Sequence, residues 1–271
     1  MKKIKNFIIS CLTLSCFMGC QMTIAFAAND TAVPVEKTVY LQNSEYELVK
    51  NDPVQLKELK DYIADLKDCS TSELTEMNFT SDQIEAIHAY DGSSASLQSA
   101  SPKVKMTLSR TSYAYSKSSD KTTISVKATA RWEGTPLYKS TDRIALTIVG
   151  STARFNKKSA SVVVTHADGS KLNPTVNYTS MVGIKSKFGI VKGTGSDSLK
   201  IFKSLTATYT GVAQGKVTVY DYGAAYTHTK LGVKSEITLS LSAGASGYSL
   251  GAGIVIVEKQ SLEAKVIKSV N

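Results

Sequence analysis

The chain has 271 residues, and its formal charge of +9 hides a split: residues 28–100 hold 5 Lys and Arg against 14 Asp and Glu, whereas residues 101–271 hold 24 against 9. A region of charge −9 thus precedes one of +15, so a partner that meets the second region is expected to be anionic. Three of the four cysteines fall before residue 28, which excludes a disulfide scaffold and leaves stability to a hydrophobic core.

Lys2, Lys3 and Lys5 open the chain with positive charge, Phe7 to Phe17 is apolar, and Ala25-Phe26-Ala27 places small residues where a signal peptidase reads them. Residues 1–27 therefore read as a secretory signal peptide, and the expected localisation is secreted. No second apolar span of about 20 residues follows, so no transmembrane helix is expected after signal cleavage. Phe17-Met18-Gly19-Cys20 offers a rival, because it resembles a bacterial lipobox and would make the protein a surface lipoprotein through Cys20. Phe17 stands where Leu is usual, and Cys11 and Cys16 show cysteine used there as an ordinary hydrophobe, so release is favoured. Cys69 then remains as a lone thiol, expected buried or half-buried near a helix end.

Residues 28–51 read as extended or disordered. Three capping signatures then predict three helices within an acidic helical segment, residues 52–92: Asp52 with Pro53 and Gln55, Ser70 with Glu73, and Thr80 with Gln83. Val54, Leu56, Leu59, Ile63 and Leu66 give the first helix an apolar stripe. Phe79 before the third cap is placed to pack on Ile84, and Gly92 supplies a stop. Residues 93–102 read as a Ser-rich linker. An acidic segment ahead of a basic domain can shield a positive surface; the plainer reading is a solvated bundle.

From Lys103 the period becomes 2. Thr122, Ile124, Val126, Ala128, Ala130 and Trp132 share one face, and Thr123, Ser125, Lys127, Thr129, Arg131 and Glu133 the other, as in a half-buried strand. The same alternation runs from Ile237 to Ser246, with shorter runs at 104–109, 144–149, 159–165, 199–209, 216–222 and 253–258. Asp168-Gly169, Asn173-Pro174 and Gly193 to Ser196 punctuate them. The fold class expected is mainly β, an antiparallel β-sandwich over residues 103–271 with nine or ten strands; a partly closed barrel is the alternative.

The stretch Ala130-Arg131-Trp132-Glu133-Gly134-Thr135-Pro136-Leu137-Tyr138-Lys139-Ser140-Thr141-Asp142-Arg143-Ile144-Ala145 resembles a poorly characterised group of secreted Gram-positive bacterial proteins. The pattern is an aromatic strand, a Pro-containing turn and a Thr-Asp step before the next strand; the region from Ser235 to Gly253 is similar too. The resemblance implies a short helical segment before a β-sandwich, and an extracellular setting. It supplies no catalytic residues.

The three histidines, His88, His166 and His228, show no ligand spacing, so no metal site is expected. Asp168 beside His166 is accounted for by turn chemistry. No Gly-x-Ser-x-Gly elbow appears, and Gly193-Thr194-Gly195-Ser196 lacks the spacing and Lys of a phosphate loop. No catalytic or cofactor-binding residue is singled out and no cofactor is expected; a glycan-acting hydrolase with two distant carboxylates stays as an alternative. The leading expectation is a non-enzymatic protein that binds an anionic cell-wall polymer or lipid headgroups through a broadly positive surface, with Tyr113, Tyr115, Tyr220, Tyr222 and Tyr226 sharing faces. Nucleic acid is not an expected partner. A membrane-active or pore-forming protein is the other alternative: Ser235 to Val257 alternates like an inserting hairpin, with Ile237, Leu239, Leu241, Ala243 and Ala245 toward lipid. That face is short for a span, and an ordinary core strand has the same alternation.

Overall fold

Antiparallel pairing organises the protein into two stacked sheets, seen in a computed structural model that describes residues 39–138, 141–150, 153–179, 183–189, 191–192, 200–229, 237–243, 250–256 and 261–270. Residues 1–27, which read as a signal peptide, Cys20 among them, and the Gly193 to Ser196 stretch lie outside the described residues. The first sheet runs β1 (Val39–Ser44), β2 (Lys103–Ser116), β3 (Lys121–Glu133), β10 (Lys200–Gln214), β5 (Asn156–His166), β6 (Lys171–Leu172), with β9 (Val191–Lys192) also paired to β10. The second runs β14 (Ser261–Val270), β11 (Tyr220–Thr229), β4 (Thr141–Gly150), β8 (Gly183–Gly189), β7 (Val176–Thr179). Neither closes on itself, so the fold is a β-sandwich and not the barrel. A separate two-stranded ribbon is made of β12 (Ile237–Ala243) and β13 (Leu250–Ile256).

The period-2 pattern decides what is inside. Thr122, Ile124, Val126, Ala128, Ala130 and Trp132 of β3 are all buried, and they meet Ile144, Leu146 and Ile148 of β4 and Tyr222, Ala224 and Tyr226 of β11 in one core. The strand pairing β2·β3·β10·β5 is continuous over most of its length, with irregularities at Arg110/Ser112, Phe202/Ser204 and Thr210/Gly211. The strand expected over 216–222 begins only at Tyr220.

The helical segment forms as its caps dictate. Asp52 accepts from the backbone N–H groups of Val54 and Gln55 and opens α2 (Pro53–Leu66), while capping boxes at Ser70/Glu73 and Thr80/Gln83 open α3 (Thr71–Glu76) and α4 (Ser81–His88). Leu59, Ile63 and Leu66 are buried as expected, but Val54, in the first turn of α2, is 69% exposed. Cys69 is half-buried just past α2, packed on this helical core.

Two readings change. Residues 28–51 read as extended or disordered; Val39–Ser44 is extended, but as strand β1 paired with β2, and it is followed at once by a helix, α1 (Glu45–Val49). Residues 93–102 are not a linker: Ser93 caps α5 (Ser94–Ala100), whose Leu97 and Ala100 are buried. A seven-residue helix with two apolar anchors has too little periodicity to read from sequence.

The helices seat on one end of the sandwich through residues 132–138. Asn78, at φ 67°, donates from its side chain to the Trp132 carbonyl, and its own carbonyl accepts from Gly134 N–H at 2.7 Å. Thr135 Oγ1 donates to the Met77 carbonyl at 2.9 Å, and buried Gln83 donates to the carbonyls of Ser101 (2.8 Å) and Glu133 (3.1 Å). Gly134 has φ +86°, and a Cβ there would lie 2.5 Å from the Phe79 ring, so both the turn and the close approach require glycine.

Candidate functional site: a seated hairpin and a buried charge cluster

On β4 and β11 the alternation has a second consequence. Ala145, Thr147 and Val149 on β4, and Gly223, Ala225 and Thr227 on β11, point away from the core, yet all are buried. The cover is the β12–β13 ribbon, which lies against β4 with both strands and against β11 with β13. Small residues on this outer face let a second layer approach closely. Among the described residues the ribbon shares no ladder with either sheet. Thr227 Oγ1, on this outer face, is buried without a hydrogen-bond partner among the described residues. An unsatisfied buried hydroxyl costs about 1–3 kcal/mol.

The ribbon's pairing matches Ile237 with Ile256, Leu239 with Ile254, Leu241 with Ala252 and Ala243 with Leu250. Cross-strand partners share a face. One face is therefore wholly apolar by sequence, and the other takes Thr238, Ser240, Ser242, Gly251, Gly253 and Val255. Residues 237–257 contain no Asp, Glu, Lys or Arg, in a chain that is 20% charged, and Glu236 and Glu258 flank the run. That charge-free interval, bounded by acids, is a sequence signal the alternation alone does not convey. At its base Thr229 of β11 pairs with Ser261 of β14, so the 31 intervening residues leave and re-enter the second sheet at adjacent points. Antiparallel partners are about 5 Å apart.

Next to that base lies a fully buried cluster. His228 Nδ1 is 2.8 Å from Asp142 Oδ1, His228 Nε2 is 3.4 Å from Glu45 Oε1, and all three side chains are sealed from solvent. Tyr226 donates its hydroxyl proton to Asp142, and Trp132 Nε1 donates to the Tyr226 hydroxyl at 3.2 Å. The Trp132 ring meets the His228 ring edge-on with centroids 4.7 Å apart. Glu45, from α1, also accepts the backbone N–H groups of Leu137 (2.9 Å) and Tyr138 (3.2 Å). The cluster thus ties the helical segment to β4 and β11.

Two carboxylates and one imidazole, all charged, would leave a net −1 in the interior, so an extra proton is favoured. Burial pushes the Asp142 carboxyl above the usual carboxylate range, against the pull of His228. For His228, burial alone would lower the imidazole, but the charge and hydrogen bond of Asp142, joined by Glu45, outweigh it and push it up to about 9. In this state Asp142 and Glu45 do not reach solvent, and both face His228.

The other singled-out residues scatter. His88 is exposed at the end of α4 with Nδ1 3.3 Å from the Lys67 carbonyl, and His166 is buried in the sandwich with neither ring nitrogen partnered among the described residues. Asp168 accepts from Ser170 N–H at 2.9 Å within the β5–β6 turn. Among the described residues no group of three or more His, Cys, Asp or Glu is placed to hold a metal. Tyr220, Tyr222 and Tyr226 do share a face, but it is the core face. Tyr113 stacks on Tyr220 at 6.1 Å and donates to the Val217 carbonyl, and Tyr115 donates to Asp120, so the tyrosines do not form a binding strip. No helix among the described residues is long and apolar enough to cross a membrane, which leaves strands unaddressed.

No family model matches the chain, and no curated protein matches it. Among solved structures the chain is similar to a pore-forming protein (TM-score 0.30, 12% identity, 62% of this chain and 87% of that one). It is also similar to the collagen-binding domain of a Staphylococcus aureus adhesin (0.27, 8%, 54% and 87%) and to the KRT10-binding region domain of a pneumococcal serine-rich repeat protein (0.26, 11%, 46% and 77%). At these scores none of the three transfers a function.

Proposed function

We propose that this is a secreted, non-enzymatic, membrane-active protein whose β12–β13 ribbon leaves the sandwich and inserts into anionic bilayers. The observation that supports the reading is a charge-free ribbon, apolar on one face, that rests on a face of small residues and, among the described residues, shares no strand ladder with either sheet. Sequence alone ranks retention at an anionic envelope first; the ribbon's separate packing reverses that order. Its departure breaks no sheet ladder among the described residues, because β11 and β14 pair with each other at its base. A transmembrane strand needs about 9–11 residues, and two arms drawn from residues 237–257 with a short turn reach the lower end of that range. A lone hairpin has unpaired edges that lipid cannot satisfy, so insertion requires ribbons from several copies closing a barrel.

The test is release of a trapped dye from vesicles rich in anionic phospholipid, with the mature protein added at micromolar concentration. Wild type is expected to release dye, and Leu239→Asp with Ile254→Asp to abolish release, since a carboxylate on a lipid-facing strand is destabilising, each by less than the ~2–4 kcal/mol of a Lys or Arg at the bilayer midplane. No release from wild type, or undiminished release from the double variant, overturns the reading.

A further inference from the structure

We infer that the outward face of the first sheet is a binding surface for linear phosphate polymers, separate from the ribbon and on the opposite side of the sandwich. The four long strands β2, β3, β5 and β10 hold ten Lys and Arg and a single carboxylate, Glu133. Glu133 is committed to Arg131 at 2.6 Å, and Arg110 is turned inward onto Tyr220. Lys121, Lys127 and Lys203 are exposed and form no ion pair among the described residues.

Between the cations the face is paved with hydroxyls in register. Thr107 pairs with Thr129 and Thr129 with Thr206; Thr208 pairs with Lys127 and Ser161; Thr210 pairs with Ser125 and Ser159. Several bond each other across strands, as Ser125 with Thr210 and Ser161 with Thr208, both at 2.8 Å. In such a pair only one of the two hydroxyl protons is engaged, so each leaves a donor for a ligand. Strands lie about 4.8 Å apart and same-face residues about 6.7 Å apart along a strand, giving a flat grid of donors and ammonium groups.

The chemistry of the grid selects its partner. The outward positions of these strands are Lys, Arg, Ser, Thr, Ala and Val, with Glu133, Asn156 and Gln214 at strand ends, and the aromatic residues Tyr113, Tyr115, Trp132, Phe202 and Tyr209 all fall on the inner side. Without an outward ring, neither a nucleobase nor a sugar face has a stacking platform. What remains is recognition by charge and hydroxyl donation alone, which suits a flexible chain of phosphates: lysine binds phosphate as a point charge and tolerates varied approach. The inference stands whether or not the ribbon inserts.

The experiment titrates intact mature protein with long-chain inorganic polyphosphate and with poly(glycerol phosphate) across a salt series. The face variant Lys121→Gln, Lys127→Gln, Lys203→Gln is compared with a control that removes equal charge elsewhere: Lys57→Gln, Lys67→Gln, Lys187→Gln. All six side chains are exposed, so both variants are expected to fold. Wild type is expected to bind at low salt, and the face variant to flatten the slope of log Kd against log salt by about 2, from three contacts at about 0.7 each, while the control keeps it. Equal weakening of both variants, no binding at low salt, or binding to anionic vesicles and to neither polymer overturns the inference. Dye release by the face variant, read in parallel, keeps this outcome apart from that of the ribbon.

Discussion

His228→Gln is the substitution whose consequence the structure defines most sharply. His228 ordinarily titrates near 6.5 but is held up to about 9 in the folded protein. A folded-state value above the unfolded one means the imidazolium contributes stability that is complete below about pH 6.5 and is lost as pH rises through about 9. At about 1.4 kcal/mol per unit, that window corresponds to about 3 kcal/mol. Asp142 is also shifted upward, so its burial penalty eases as the solution turns acid, and acid does not open the cluster. The expected profile is thus a protein that loosens on the alkaline side. His228→Gln leaves two buried carboxylates without their cation, a loss of about 3–5 kcal/mol at neutral pH, and flattens the alkaline slope. Urea unfolding at a series of pH values measures both, with the emission of Trp132, the single tryptophan, as the probe. Wild-type stability that is flat or rises between about pH 6.5 and pH 9, or a variant with the wild-type slope, refutes the reasoning.

Other outcomes follow from the seam and the seat. Gly134→Ala forces a Cβ at φ +86° against the Phe79 ring and is expected to cost about 1–3 kcal/mol in urea unfolding, more than Gly92→Ala, whose Cβ meets nothing. Gln83→Ala strips a donor from two carbonyls at the joint between helices and sandwich and is expected to cost about 2–3 kcal/mol by thermal denaturation. Ala225→Met overfills the seat beneath the ribbon; proteolysis within residues 230–260 should accelerate while the Trp132 spectrum stays native.

Sequence made the sandwich legible where one face is wet. The β3 alternation from Thr122 to Trp132 read cleanly because one side meets solvent and the other the core. On β4 and β11 the code fails, since both sides of Ala145, Thr147 and Ala225 are covered, and a covered outer face looks like any apolar run. The three capped helices were readable from Asp52, Ser70 and Thr80, whereas α1 and α5 were not, because Ser44 makes no side-chain cap and Ser93 lacks a Glu or Gln partner three residues on. Asp142, Glu45 and His228 are separated by more than 80 residues at each step, and only the docking of α1 onto the end of the sandwich brings them together. The Trp132 to Asp142 stretch that carries the sequence resemblance turns out to supply the joint and one member of the cluster.

The adjacency of Thr229 and Ser261 makes residues 230–260 an excursion that the rest of the topology does not need. A two-residue turn could join those two positions directly, replacing 31 residues and relieving about 2 kcal/mol of loop-closure entropy. The body left behind would keep both sheets, the helices and the charge cluster, while exposing a bare strip of alanine, threonine and glycine. By the same geometry the excursion is separable: an antiparallel pair with free ends beside a face of small residues could accept it, so the ribbon and the rest of its scaffold can vary independently, as cargo and carrier.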